Sequence, residues 1–164
     1  MTNNERIILG IDPGYARMGW GVIKLVGGQA PRLECVGFGC VETPKEEEMG
    51  TRLAYLNDAL AQIIGHYKPH DIAIEELFFA KNQKTAMLVA HARGVIMMRS
   101  AMHSGRIFQY RPNQIKLAAA LDQKADKKAM QAAVTAILKF THAPKLDDVA
   151  DALAVAITHA TIGS

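Results

Sequence analysis

Cysteine is almost missing from this chain: of 164 residues only Cys35 and Cys40 carry a thiol. Their spacing is neither a CxxC redox pair nor a zinc knuckle, which argues against a disulfide scaffold or a cysteine-built metal site and leaves two reduced, packed thiols. Long apolar runs are missing too, and none approaches the roughly 20 residues of a membrane span. The opening Met-Thr-Asn-Asn-Glu-Arg has no hydrophobic signal core, so a cytoplasmic protein is expected. No region is low-complexity, aromatic residues make up only 6%, and the six histidines are scattered. What is there is 49% apolar and 21% charged, the composition of a compact globule. The length fits one domain over residues 1–164 with a substantial core.

Three apolar segments, far apart in the chain, end or begin in carboxylates. Ile7-Ile8-Leu9-Gly10-Ile11 closes on Asp12 and turns at Pro13-Gly14. Asp71-Ile72-Ala73-Ile74 closes on Glu75-Glu76, and Asp147-Asp148-Val149-Ala150-Asp151 opens an apolar C-terminal stretch. An unpaired ionised carboxylate costs several kcal/mol to desolvate, so such groups meet where they share something positive, such as a metal ion. Each taken alone also reads as a local device: a turn Asp, a strand-end Glu, helix N-terminal Asps favoured by the helix dipole. The three together favour a site.

The net charge of +3 hides a segregation. With Asp12, Glu75, Asp148 and Asp151 set aside as ligands, 12 acids face 19 Lys and Arg. Between Arg111 and Lys139 six basic residues (Arg111, Lys116, Lys124, Lys127, Lys128, Lys139) stand against Asp122 and Asp126. A basic surface around an acidic pocket suits a polyanionic substrate beside a metal site, although this stretch alone reads equally well as a solvated helix face.

Patterning predicts strands near 6–12, 19–26 and 33–41, an opening antiparallel meander with a turn at Gly27–Pro31. Thr43-Pro44-Lys45-Glu46 reads as a capping box that starts a helix running to about Tyr67, with Leu53, Leu56, Leu60, Ile63 and Ile64 inward. A strand over 72–77 follows, then a helix near 84–103 that is apolar on nearly every side, hence buried or facing a partner chain. A strand over 106–110, a short helix from Pro112, a helix near 126–140 and a last helix from Asp147 or Asp148 to about Thr161 complete the chain. The expected class is α/β, βββαβαβαα, a five-stranded mixed sheet with helices on both faces. Spacing alone chooses neither between Glu75 and Glu76 nor between Asp147 and Asp148, since Asp148 and Asp151 are i, i+3 and Asp147 and Asp151 are i, i+4. Hard oxygen donors without a His or Cys cluster suit Mg²⁺ or Mn²⁺ rather than zinc. Two such ions, roughly 4 Å apart, can activate a water and stabilise the leaving oxygen of a phosphodiester. His159, two turns beyond Asp151, reads as packed or surface rather than a ligand.

Together Ile8–Gly14, Ala73-Ile74-Glu75 with Phe78 and Ala80-Lys81-Asn82, Ala92-Arg93-Gly94, and Asp148–Ala154 resemble the bacterial RuvC family of Holliday junction resolvases, over nearly the whole chain and in the same order. The resemblance implies a ribonuclease H-like fold, a homodimer, paired nicking of four-way junction DNA and partnership with the RuvA–RuvB branch-migration machinery. It implies Asp12, Glu75, Asp148 and Asp151 as the catalytic, metal-binding acids, with Lys81, Lys116 and Lys127 or Lys128 on the DNA. Glu76 and Asp147 are departures from the family pattern. Adjacent phenylalanines on a strand face opposite ways; the resemblance favours Phe78 as the one that stacks on a base, with Phe79 packed. Two other classes compete. An ATP-handling fold of the actin and sugar-kinase type needs a second domain for which 164 residues leave no room. A non-catalytic scaffold would not need all four carboxylates. A related nuclease acting on structured RNA is separated only by the resemblance.

Overall fold

The computed structural model describes residues 5–28, 31–76, 83–103 and 105–163. Three strands come first, β1 (Glu5–Asp12), β2 (Arg17–Val26) and β3 (Arg32–Glu42), followed by α1 (Met49–Tyr67) and β4 (Asp71–Glu75). Then come α2 (Gln83–Ala101), β5 (Arg106–Tyr110), α3 (Pro112–Ala120), α4 (Lys127–Ile137) and α5 (Asp147–Ile162). The sheet order is β3-β2-β1-β4-β5. The first three strands form an antiparallel meander, while β4 and β5 run parallel to β1. The expected five-stranded mixed sheet is present, with the short helix at Pro112 a separate element, so the order is βββαβαβααα.

The sheet is covered on both faces, which is why β1 and β4 read as continuous apolar runs rather than alternating ones. Alternate residues still divide between two cores. Leu9, Ile11, Met18, Val22, Ile72 and Ile74 pack beneath α1 and α2. Ile8, Ile23 and Ala73 meet α3, α4 and α5 on the other side. In α5 every residue from Ala152 to His159 is buried. Leu153 and Ile157 each contribute about 1.5–3 kcal/mol through that burial.

Small residues on the strands let α5 lie directly on the sheet. A Cβ on Gly10 would run into the backbone of Ala152 and Ala156, and one on Gly19 into the carbonyl of Asp148. The far end of α5 is held by a buried polar network. His159 Nδ1 lies 2.7 Å from the Tyr110 hydroxyl, and its Nε2 lies 3.2 Å from Asp71 Oδ2 without hydrogen-bond alignment. The ring also stacks on Phe108, so the packed role expected for His159 holds. Asp71 is fully buried and paired with Arg6 and, at 3.0 Å, with Arg106 Nε. Burial alone would raise its carboxyl, but His159 and the two guanidiniums outweigh it and hold the group below its ordinary range. Burial in turn depresses His159.

One expectation fails. The helix after β3 starts at Met49, with Glu48 as N-cap, and Thr43 is not its cap. The Thr43 hydroxyl is buried and already engaged, donating to the Tyr15 carbonyl at 2.9 Å and accepting from Arg52 Nε at 2.9 Å. A tertiary contact thus takes the oxygen that a capping box needs. Among the described side chains of α2 only Ala92, Ile96 and Ser100 are buried, while Met87 and Met98 are 63% and 52% exposed, so the helix is not internal to this chain. Cys35 and Cys40 are free thiols, as expected. Among the described residues no helix is long and apolar enough to cross a membrane.

Candidate active site

Asp12 and Glu75 end neighbouring parallel strands, each one residue past the Ile11–Ile74 pair, so the register sets them side by side at the strands' C-terminal ends. On the other side of β1, Asp12 pairs with Gly19, whose missing side chain admits the first turn of α5. Asp148 and Asp151 are delivered there, one turn apart. Three elements therefore carry four carboxylates to one corner.

Their proximity is written in their acidities. Burial, then the Glu75, Asp151 and Asp148 carboxylates, push Asp12 up to about 8, with Lys127 opposing. Burial first and Asp151 second push Glu75 up to about 7, against a hydrogen bond with Asp12 and the charge of Lys116. Burial also raises Asp151, again against Lys127. Burial is thus the leading reason that Asp12 and Glu75 both sit above the ordinary carboxylate range. Asp148 leans toward Arg17, whose Nε lies 3.3 Å from Oδ2. That oxygen is shielded from solvent and receives no hydrogen bond.

Among the described residues no three His, Cys, Asp or Glu side chains are drawn tightly enough together to hold a metal ion as they stand. Like charges repel, and Arg17 draws Asp148 aside. The chemistry of the donors nonetheless fits a hard divalent cation: oxygen ligands only, one buried acceptor left unbonded, and two carboxyls whose protons a cation would displace.

Beside the acids a cavity of about 430 Å³ is lined by Glu75 and Asp151, by Lys116 and Lys127, and by Ile115 and Met130 beneath. Asp147 and Glu76, the two competing acids, turn elsewhere. Asp147 pairs with Lys127 at 3.2 Å and accepts from Gln131 at 2.7 Å, while Glu76 pairs with Arg111 at 3.3 Å. Arg93 Nε reaches the Glu75 carbonyl at 3.4 Å, and its guanidinium also bonds Gln109, which ties the end of β4 to α2 and β5. Of the basic candidates, Lys116 and Lys127 line the cavity and Lys128 is exposed. Phe78, Phe79 and Lys81 lie outside the described residues.

The family model for the crossover junction endodeoxyribonuclease RuvC matches residues 8–159. The chain belongs to the RuvC family. The RuvC of Alkaliphilus oremlandii is 46% identical over 158 residues, covering 96% of this chain and 94% of that protein. That of Alkaliphilus metalliredigens is 43% identical over 157 residues, with the same coverage. Among solved structures, Thermus thermophilus RuvC in complex with Holliday junction substrate superposes with a TM-score of 0.89 at 29% identity, over 96% of this chain and 94% of that one. The RuvC match spans all four carboxylates and both cavity lysines. Sequence reasoning passed over Arg17 and Gln131. An arginine after a turn and a glutamine on a helix carry no local signal, and each acquires meaning only when α5 docks.

Proposed function

We propose that this RuvC-family protein is a metal-dependent, structure-selective endonuclease that resolves Holliday junctions by paired symmetric nicks in recombination and DNA repair. The observation that carries the reading is the meeting of Asp12, Glu75, Asp148 and Asp151 at one corner beside a lysine-lined cavity. These four would hold Mg²⁺, two ions per site, with Mn²⁺ as substitute. The metal supplies an activated water and charge stabilisation at the leaving oxygen. The chain's own residues do the rest. Lys116 and Lys127 hold phosphate at the rim, with Lys128 and Lys81 extending the contact. Phe78 stacks on a base opened near the crossover.

Two symmetric cuts call for a C2 dimer with two like sites. The stripe Met87, Ala90, His91, Gly94 and Met98, exposed along α2, is the proposed interface. The protein works in the cytoplasm as a single domain, with the RuvA–RuvB complex delivering junctions to it. The test offers Mg²⁺ with a synthetic four-way junction, a linear duplex of the same sequence and a structured RNA. Paired nicks confined to the junction are expected. Equal cutting of the duplex or RNA would overturn the proposal.

A further inference from the structure

We infer that Asp147 is a positioning residue, which holds the Lys127 ammonium over the mouth of the carboxylate cavity. The inference rests on the reading of that cavity as the nuclease site. Lys127 and Gln131 are one turn apart on α4 and so share a face. Both reach across to the first residue of α5. Lys127 Nζ sits 3.2 Å from Asp147 Oδ2, and Gln131 Nε2 donates to Oδ1 at 2.7 Å. Each carboxylate oxygen thus has a partner on α4, so Asp147 spans the two helices and is turned to Lys127 rather than to Asp12.

Stability does not account for this arrangement. The Lys127 side chain is 75% exposed and that of Asp147 51%, and exposed ion pairs contribute little to folding. A helix-dipole contact at the start of α5 would be served by either first-turn acid and needs neither partner. Orientation does account for it. A lysine has a flexible four-carbon stem, and among the described residues this one's charge borders the cavity it lines with Glu75, Lys116 and Asp151. The Gln131 amide fixes the carboxylate, and the carboxylate fixes the ammonium. Since Asp147 precedes Asp148 directly, the same residue ties the lysine's position to that of a proposed metal ligand.

The test compares wild type with D147A, D147N, D147E, K127A and D147A/K127A in single-turnover junction cleavage at saturating protein and Mg²⁺, alongside junction affinity and melting temperature. Amine labelling of the DNA-free protein, read by mass spectrometry, reports on the pair whether or not the protein cleaves. D147A and D147N should slow cleavage at least about tenfold, within the roughly 100-fold that a 1 Å misplacement can cost, with affinity no weaker, melting temperature unchanged and D147E restoring much of the rate. D147A should add nothing in the K127A background. Labelling of Lys127 should rise several-fold in D147A while Lys128 is unchanged. Wild-type rate in D147A, an equal loss in the K127A background, or unchanged Lys127 labelling would each overturn the inference. A wild-type protein that cuts no junction would instead refute the nuclease reading, and labelling would still decide the pairing.

Discussion

Arg17 and Lys127 divide the carboxylates at the head of α5 between them, one beside Asp148 and the other beside Asp147. Asp12 and Glu75 hydrogen bond to one another and feel Lys127 and Lys116 only through charge. Amide substitution of any of Asp12, Glu75, Asp148 or Asp151 should lower nicking by at least about 100-fold, because each removes a charged ligand worth several kcal/mol of transition-state stabilisation. Junction binding should persist or tighten, since a negative charge facing phosphate is gone. Normal cleavage by D148N would contradict the ligand assignment. The acidities give a second expectation. Asp12 and Glu75 titrate in the fold near 8 and 7, against ordinary values of 3.8 and 4.5. A raised folded value contributes stability at low pH that is lost as pH climbs through it. In EDTA the melting temperature should therefore fall from about pH 4 to about pH 8 and level off above that. Mg²⁺ should restore it more at the upper end, and D12N/E75Q should flatten the slope. These residues were legible in sequence because carboxylates seldom end apolar runs without a partner. The choice of Glu75 over Glu76 was not legible from alternation, which says that the two diverge but not which one faces Asp12.

At the scale of elements, the strands were read to within a few residues, because turns and apolar blocks mark them locally. The start of α1 was misread at Thr43, since the competing partners lie at Tyr15 and Arg52, contacts that exist only after folding. The docking of α5 was equally invisible. Glycines in β1 and β2 look like weak strand positions until a helix backbone is found in the space they leave. Gly19→Ala should accordingly cost about 1–3 kcal/mol of stability as an overpacked contact, and it should displace Asp148 enough to depress cleavage beyond what the melting temperature explains. Gly65→Ala is the control. It lies in the last turns of α1 with open space at the Cβ position and should stabilise by about 0.5–1 kcal/mol. A fully active Gly19→Ala protein would show that the close approach does not set the site.

The whole molecule poses a question of number. The α2 stripe leaves Met98 half exposed, with open space beside Gly94, so Met98→Glu should convert a sedimenting dimer to a monomer that stays folded and makes unpaired nicks. A wild-type monomer at micromolar concentration with full resolving activity would rule the dimer out. The apolar character of α2 was foreseen from residue pattern, whereas the stripe it exposes was not, nor was the polar network at the other end of the sheet, which links Arg6, Asp71, Arg106, Tyr110 and His159 across four elements. It grips α5 about 16 Å along the helix from Asp148. The helix is fastened at both ends, at its head by the strand glycines and at its tail by His159, so neither end can fray alone. Backbone amides from Val149 to Thr158 should exchange with deuterium only through global opening, among the slowest in the protein. Asp148 and Asp151 ride on that helix. Heat should then inactivate this protein in the same transition that unfolds it, with no cooler range in which the fold persists and the site has come apart.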